Sequence, residues 1–210
     1  EQEQAMVTNY GKIQNVNLKH NFVLPFVSAL AVFLLTPLVF NITSLQEKEV
    51  ARPFEFLLSW MGVMLLTPIF LPEQNKDIRD VVRSKKIDYL KVCGIRMLYS
   101  VVTLMVLEAL FAGMMLWRES AVAVTHLFGG IATSLFFGMI GFAAAGISEN
   151  TTIGYMAAML YYLANYGLKE RLGDFFLFSM STGDFAGKGW MIVGAIVLCV
   201  ITFLWIRIKN

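Results

Sequence analysis

Two ionisable side chains within one long apolar run, Arg96 and Glu108, are the first candidates for chemistry. Arg96 comes near the start of the run and can extend its guanidinium group to the lipid head groups. Glu108 follows twelve residues later, about 18 Å along a straight helix, so the two cannot pair with each other. Because a carboxylate is costly in hydrocarbon, we expect Glu108 to face protein or water and to be protonated or hydrogen-bonded. Glu108 is therefore a candidate residue of a substrate path.

A stripe of polar and sulfur-containing residues in the run 152–168 is the second candidate. Its members are spaced by three or four residues, which places them near one face of a helix. They are Tyr155, Met159, Tyr162 and Tyr166, with Asn165 beside them. The stripe could form the wall of a path for an amphiphilic substrate, and helix packing through tyrosine hydroxyls explains it equally well.

Motifs for hydrolysis and metal binding do not occur in the sequence. The string nearest to a P-loop, at residues 183–189, lacks the spacing and the hydroxyl residue that should follow the lysine. His20 and His126 have no metal-binding spacing, which favours a structural role for each. No serine stands in a nucleophile motif. We therefore expect no catalytic activity of this chain by itself, no metal and no bound cofactor.

The composition decides what surrounds these residues. Of the 210 residues, 57% are hydrophobic and 15% are charged, and the mean hydropathy is +0.64. A soluble domain needs more polar side chains, so lipid must be the main solvent. Six apolar runs approach the roughly 20 helical residues that cross a bilayer core: 22–45, 54–71, 92–117, 121–147, 152–168 and 190–206. We predict an all-α polytopic membrane protein with six transmembrane helices in a single domain, 22–210.

Basic residues are distributed unevenly between the two sides of these spans. With the N-terminus inside, ten lysines and arginines face the cytoplasm and six face outward, with Arg96 set aside. By the positive-inside rule both termini are cytoplasmic, and we expect a multi-pass protein of the cytoplasmic membrane of a bacterium. The net charge of +2 is too small to indicate nucleic acid as a partner, which leaves membrane lipid as the expected surrounding.

Three segments outside the spans have patterns of their own. Residues 1–21 are polar with apolar residues at intervals of three, as in an amphipathic surface helix, and a disordered tail fits equally well. In 72–91, apolar residues share one helical face and basic residues cover the rest, which predicts a short cytoplasmic helix. A solvated connector or a basic helix on anionic lipid is the alternative there. Residues 169–189 combine phenylalanines with glycines and charges, which predicts short re-entrant helices in the outer interface before span 6.

Small residues recur in the run 121–147. Gly130, Ser134 and Gly138 are spaced by four residues and so share one helical face. Small side chains allow the backbones of membrane helices to approach closely. This pattern predicts close helix packing rather than chemistry.

Two stretches place spans and short connections in a characteristic order. Residues 66–102, LTPIFLPEQNKDIRDVVRSKKIDYLKVCGIRMLYSVV, contain the end of a span, a charged inner helix and the next span. Residues 141–167, GFAAAGISENTTIGYMAAMLYYLANYG, contain a span, a tight inner turn and a further span. In these stretches, and in the order of elements over nearly the whole chain, the sequence resembles the membrane subunits of type-2 ABC exporters.

The resemblance implies a coupling helix and two kinds of partner. Residues 73–89 would sit on a separate ATP-binding cassette subunit, which binds ATP and Mg²⁺, and a second copy of this chain would complete the path. The residues assigned to ATPase coupling are Glu73, Ile78, Arg79, Val81, Val82, Arg83 and Lys86. The implied function is that of a permease subunit, which exports a peptide or an amphiphilic substrate.

Functions without transport stay open. A membrane-embedded enzyme or processing factor needs converging polar residues, which the sequence does not supply. A scaffold or immunity protein that binds a target within the membrane needs none. The sequence does not determine the substrate, the direction of transport, or whether the two permease chains are identical. Copurification with an ATPase subunit separates the transporter from the other functions.

Overall fold

The computed structural model describes residues 21–74 and 89–209, and every regular element in these two parts of the chain is helical. In chain order they are α1 (Val23–Val39), α2 (Glu47–Arg52), a π-helical segment (Pro53–Leu58), α3 (Trp60–Leu66), a 3-10 segment (Thr67–Gln74), α4 (Tyr89–Trp117), α5 (Val124–Ser148), α6 (Thr151–Leu168), two 3-10 segments (Lys169–Phe175 and Met180–Thr182) and α7 (Gly187–Lys209). The predicted all-α class is confirmed for these residues. The predicted N-terminal surface segment, apart from Asn21, and most of the predicted cytoplasmic helix lie outside them.

Four helices are long and apolar enough to cross a membrane. They are α4, α5, α7 and the continuous stretch Glu47–Pro72, here called the composite helix, which begins at α2 and ends in the 3-10 segment after α3. α1 is apolar but has only 17 residues, and α6 is less hydrophobic because tyrosines, threonines and an asparagine interrupt it. Several helices of this length and composition are typical of a membrane protein. The six-span arrangement stays a prediction.

α5 lies at the centre of the bundle and packs against the composite helix, α6 and α7. Glycines permit its closest approach. A Cβ on Gly138 would lie 2.5 Å from the Gly62 carbonyl oxygen, and a Cβ on Gly130 would lie 2.6 Å from the Phe54 ring. Neither position has room for a larger residue. The close helix contact predicted along Gly130, Ser134 and Gly138 is therefore confirmed.

Two apolar cores hold the other helices around α5. One lies between α5, α6, α7 and the 3-10 segment after α3, and includes Phe137 and Phe142. The other lies between α1, the composite helix and α4, where the rings of Phe54 and Phe111 meet edge to face at 5.6 Å. Lipid tails are as apolar as these side chains, so close packing and hydrogen bonds decide which membrane helices meet.

One end of the bundle is fastened by hydrogen bonds between connections that are distant in sequence. The Ser120 hydroxyl donates to the Ile42 carbonyl oxygen at 2.7 Å and accepts from the Leu45 amide at 3.1 Å. On the same end, His126 Nε2 lies 2.9 Å from the Glu47 carbonyl oxygen. The structural role that the sequence favours for His126 agrees with this contact.

At the other end, the turn between α5 and α6 meets the last residues of α7. Lys209 Nζ lies 2.7 Å from Glu149 Oε1, and both side chains are about half exposed. Glu149 has a φ of 55°, in the left-handed region, which ends α5 and lets the chain reverse at once into α6. This is the tight turn that the sequence predicts between the two helices.

Residues 169–186, here called the folded-back segment, turn into the bundle between α6 and α7. Four apolar side chains are buried there: Phe176, Leu177, Phe178 and Met180. Asn165 of α6 positions the segment, because its Oδ1 accepts from the Leu177 amide at 2.8 Å. The segment contains two 3-10 helices, in agreement with the predicted short helices.

Candidate functional site

Glu55 and Lys188 form an ion pair inside the bundle. Lys188 Nζ lies 2.7 Å from Glu55 Oε1, and the two side chains are 1% and 0% exposed, respectively. The same carboxylate accepts hydrogen bonds from the amides of Met180 at 2.7 Å and Ser181 at 2.9 Å. Both oxygens of Glu55 are thus bonded, one of them to a cation.

The ammonium group of Lys188 has a partner for each of its N–H donors, as the carboxylate of Glu55 has a partner for each of its oxygens. Besides Glu55 it donates to Thr133 Oγ1 at 2.8 Å and to the Leu177 carbonyl oxygen at 2.7 Å. A lysine has three N–H donors, and each has an acceptor here. The pair therefore joins the π-helical segment, α5, the folded-back segment and α7. Because desolvation offsets much of the attraction in a buried pair, we expect its main effect to be that it fixes this one arrangement of the four elements.

The π-helical segment explains how the chain buries a carboxylate next to an aromatic ring. Its first residue, Pro53, lacks the N–H that a regular helical turn would use. The Ser59 amide donates to the Phe54 carbonyl oxygen, five residues back, at 3.1 Å. The wider turn re-aims consecutive side chains, and such turns are frequent at functional sites. Phe54 consequently packs toward α4 while Glu55 points to α7.

Glu108 of α4 is the second fully buried acid. Its Oε1 accepts a hydrogen bond from the Ser134 hydroxyl. Its Oε2 has no hydrogen-bond partner among the described residues and lies against Gly130, where a Cβ would come within 2.8 Å. The prediction that Glu108 faces protein rather than lipid is confirmed.

α5 separates the two acids. Thr133 and Ser134 are consecutive, so their side chains leave the helix about 100° apart. Thr133 contacts Lys188 and Ser134 contacts Glu108. One level of the bundle therefore carries a polar layer of two carboxyl groups, one ammonium group and two hydroxyls. In a low-dielectric interior, the stability of each polar group depends on its hydrogen-bond and ion-pair partners within this layer.

The predicted stripe on α6 is partly turned inward and partly exposed. Tyr162 donates to the Phe56 carbonyl oxygen at 2.8 Å and lies 3.2 Å from the Tyr166 hydroxyl. Tyr155 packs against the core that surrounds α5, whereas Met159 and Tyr166 are about half exposed. Packing through tyrosine hydroxyls, one of the two interpretations, is thus present. The role of the stripe as a wall of a substrate path stays a prediction.

Three further candidates, Asn165, Glu108 and Arg96, bond to groups outside this stripe. Asn165 is buried and bonded to the folded-back segment, and no described contact joins Glu108 to α6. Arg96 is also buried, and its guanidinium group donates to the Ile69 carbonyl oxygen at 3.0 Å, within the bundle. The described contacts therefore do not gather the substrate-path candidates into one site.

The residues assigned to ATPase coupling lie almost entirely outside the described residues. The backbone of Glu73 belongs to the 3-10 segment Thr67–Gln74. The side chain of Glu73 lies outside the described residues, as do Ile78, Arg79, Val81, Val82, Arg83 and Lys86. Their role stays a prediction.

Glu55 and Lys188 were missed by reasoning from the sequence. Glu55 stands inside the predicted run 54–71, and Lys188 stands two residues before the run 190–206. An ionisable residue in or beside an apolar run is itself a signal of function or pairing, so each was detectable singly. That the two pair with each other follows only from the way α7 and the folded-back segment pack.

Comparison of the chain with protein-family models, curated proteins and solved structures finds no match. The class that the fold defines is that of a helical membrane protein with a buried polar layer.

Proposed function

We propose that the chain is the permease subunit of an ATP-driven exporter of the type-2 ABC class. A separate cassette subunit binds ATP and Mg²⁺, a second copy of the chain completes the path, and a peptide or an amphiphile is moved outward. Two features support the proposal: the order of elements along the chain and the distribution of charge between the two ends of the bundle.

The observation that carries the proposal is the position of the charged connection between the composite helix and α4. The composite helix ends at Pro72 and α4 begins at Tyr89, so this connection lies between them in the sequence. The α5–α6 turn and the end of α7 meet each other through Glu149 and Lys209. In the proposed arrangement both features face the cytoplasm, where the excess of basic residues belongs. A coupling helix at 73–89 then has an ATPase subunit within reach.

The proposed topology has six spans, with α1 and α6 added to the four longer helices. α1 can cross a thinned or locally adapted bilayer, since hydrophobic mismatch costs only fractions of a kcal/mol per Å. The folded-back segment then lies at the outer end of the bundle, where Glu55 and Lys188 hold it. The aromatic side of α6 supplies an apolar wall for an amphiphile.

Labelling of single cysteines tests the topology. Cys93 and Cys199 are replaced first, and Ser84→Cys is introduced into that background. An impermeant maleimide should label the new thiol in inverted vesicles but not in intact cells. Val124→Cys, exposed at the opposite end of α5, should show the reverse pattern. Labelling of Ser84→Cys from outside intact cells contradicts the topology.

Copurification with a separate ATP-binding cassette subunit tests the function. Val81→Asp and Val82→Asp should each detach that subunit or uncouple ATP hydrolysis from transport, because a carboxylate would replace an apolar contact at the interface. Val124→Asp is the matched control, since it makes the same change on an exposed residue at the other end of the bundle. Full ATPase binding and full transport by both variants would reduce 73–89 to a connector. Capture of a membrane target without any ATPase would favour the scaffold or immunity function.

A further inference from the structure

Glu108 is buried as deeply as Glu55 but has far fewer bonding partners. Glu55 meets an ammonium group and two amides, whereas Glu108 meets one hydroxyl. An ionised carboxylate offers about four acceptor positions on its two oxygens and needs donors for them when it is dry. Glu108 Oε2 has none among the described residues. This environment suits a neutral carboxyl group and not a charged one.

The space around Glu108 also leaves no room for water at Oε2. A single Cβ on Gly130 would lie 2.8 Å from this oxygen and 2.6 Å from the Phe54 ring, so ring, glycine and carboxyl group are already in close contact. Phe54 is itself held by Phe111, one turn along α4 from Glu108, at 5.6 Å. Hydration of a charged Glu108 would require these side chains to separate.

No opposite charge among the described residues faces Glu108 from the elements around it. α1 has no ionisable residue, and on α5 the one ionisable side chain is His126, two turns away and directed to the Glu47 carbonyl oxygen. On the composite helix and α7 the buried charges are Glu55 and Lys188, which bond each other. The other charged residues of these two elements are exposed: Glu47, Lys48, Glu49, Arg52, Arg207 and Lys209. On α4 itself, Arg96 lies about 18 Å away along the helix axis.

We propose that Glu108 and Ser134 form a proton-binding site, in which a bound proton holds α4 against α5 and its release separates the two helices. The ligand is H⁺, taken up by the carboxylate and given back to solvent once the contact opens. The site stands independently of the transport proposal, since it requires only α4, α5 and the π-helical segment. Phe54, which contacts this site, lies in a wide π-helical turn, and such turns are frequent at functional sites.

Infrared spectroscopy of the full chain in lipid nanodiscs tests for the proton. At neutral pH the protein should show a carbonyl band of a protonated carboxylic acid that moves in D₂O and disappears as the pH rises. Glu108→Gln should lack this band. Glu119→Gln, which removes an exposed carboxyl group just after α4, should keep it. Ser134→Ala should move the band to higher frequency without abolishing it, because the hydrogen bond is lost and the proton stays.

A distance measurement tests for the movement. Spin labels are placed at Val106 of α4 and Phe128 of α5, both exposed, in a background without native cysteines. The distance between the labels should increase over the same pH range in which the band disappears, and Glu108→Gln should hold the short distance throughout. Absence of the band at neutral pH, or its persistence in Glu108→Gln, would overturn the proton site. A constant distance in the otherwise native protein would overturn the coupling to helix separation. If Glu108→Gln does not fold, the titration of the native side chain and the shift in Ser134→Ala decide between these outcomes.

Discussion

The two buried acids of the polar layer differ in how completely the fold supplies them with partners. Around Glu55, an ammonium group and two backbone amides compensate for the water that the carboxylate lost. Around Glu108, the Ser134 hydroxyl is the single described partner. A fully bonded buried group rigidifies its surroundings, whereas a partly bonded one is sensitive to its charge. The arrangement around Glu55 is suited to holding the folded-back segment in place. The arrangement around Glu108 is suited to a change in protonation and in the contact between α4 and α5.

The largest effect is expected when the ion pair is broken from one side. Lys188→Met should lower the free energy of unfolding by about 3–5 kcal/mol, because Glu55 would be left charged and without its cation in a dry interior. Reversible unfolding in mixed micelles measures the change. The double variant Glu55→Gln with Lys188→Met should lose less than Lys188→Met alone, since no unpaired charge is left. A double variant that is as unstable as the sum of both single changes would show that the two groups do not act as a pair.

A smaller loss of stability is expected when a methyl group is added beside Glu108. Gly130→Ala should destabilise the protein by about 1–3 kcal/mol, because the added Cβ would overlap Phe54 and Glu108 Oε2. Gly113→Ala is the matched control on α4, where a Cβ meets nothing within 4 Å. This control should be neutral or stabilising by up to about 1 kcal/mol, since alanine favours a helix over glycine. Equal unfolding free energies for the two variants would contradict the tight contact at Gly130.

Substitutions of the two neighbouring hydroxyl residues on α5, Thr133 and Ser134, compare the surroundings of the two acids most directly. Thr133→Val removes an acceptor from a buried ammonium group, whereas Ser134→Ala removes a donor from a carboxyl group that is neutral in our proposal. Loss of a hydrogen bond to a charged group costs about twice as much as loss of a neutral one, so Thr133→Val should be the more destabilising by about 1 kcal/mol. Unfolding of both variants at neutral pH measures the difference. The reverse order would indicate that Glu108 carries the charge.

The smallest effect is expected at the exposed pair between Lys209 and Glu149. The 2.7 Å separation resembles that of Glu55 and Lys188, but both partners are about half exposed. Water and salt screen such a pair, and its contribution is typically about 0.2–1 kcal/mol. Lys209→Met should therefore change stability by less than about 1 kcal/mol, and added salt should remove the difference. A loss comparable to that of Lys188→Met would show that burial is not what separates the two pairs.

Much of the fold could be predicted from local patterns. Apolar runs of sufficient length specify helices in a membrane, because a backbone in lipid must satisfy its own hydrogen bonds. Gly130, Ser134 and Gly138 predict a close helix contact, since their spacing alone places them on one face. The burial of Glu108 follows in the same way from the cost of placing a carboxyl group against lipid. Each of these inferences depends on a residue, its near neighbours and the solvent.

The tertiary structure decided which distant groups meet. Glu55 and Lys188 are each visible as charges at the edge of apolar runs, but their pairing depends on a π-helical turn and on a segment that folds back between α6 and α7. Ser134 and Thr133 carry the same hydroxyl group side by side, and only the crossing of α5 with its neighbours makes one a donor to an acid and the other an acceptor from a cation. The physical reason is that a hydrogen bond or an ion pair acts over about 3 Å. The sequence shows which polar groups stand in or beside apolar runs, and only the packing of the helices brings two of them within that distance.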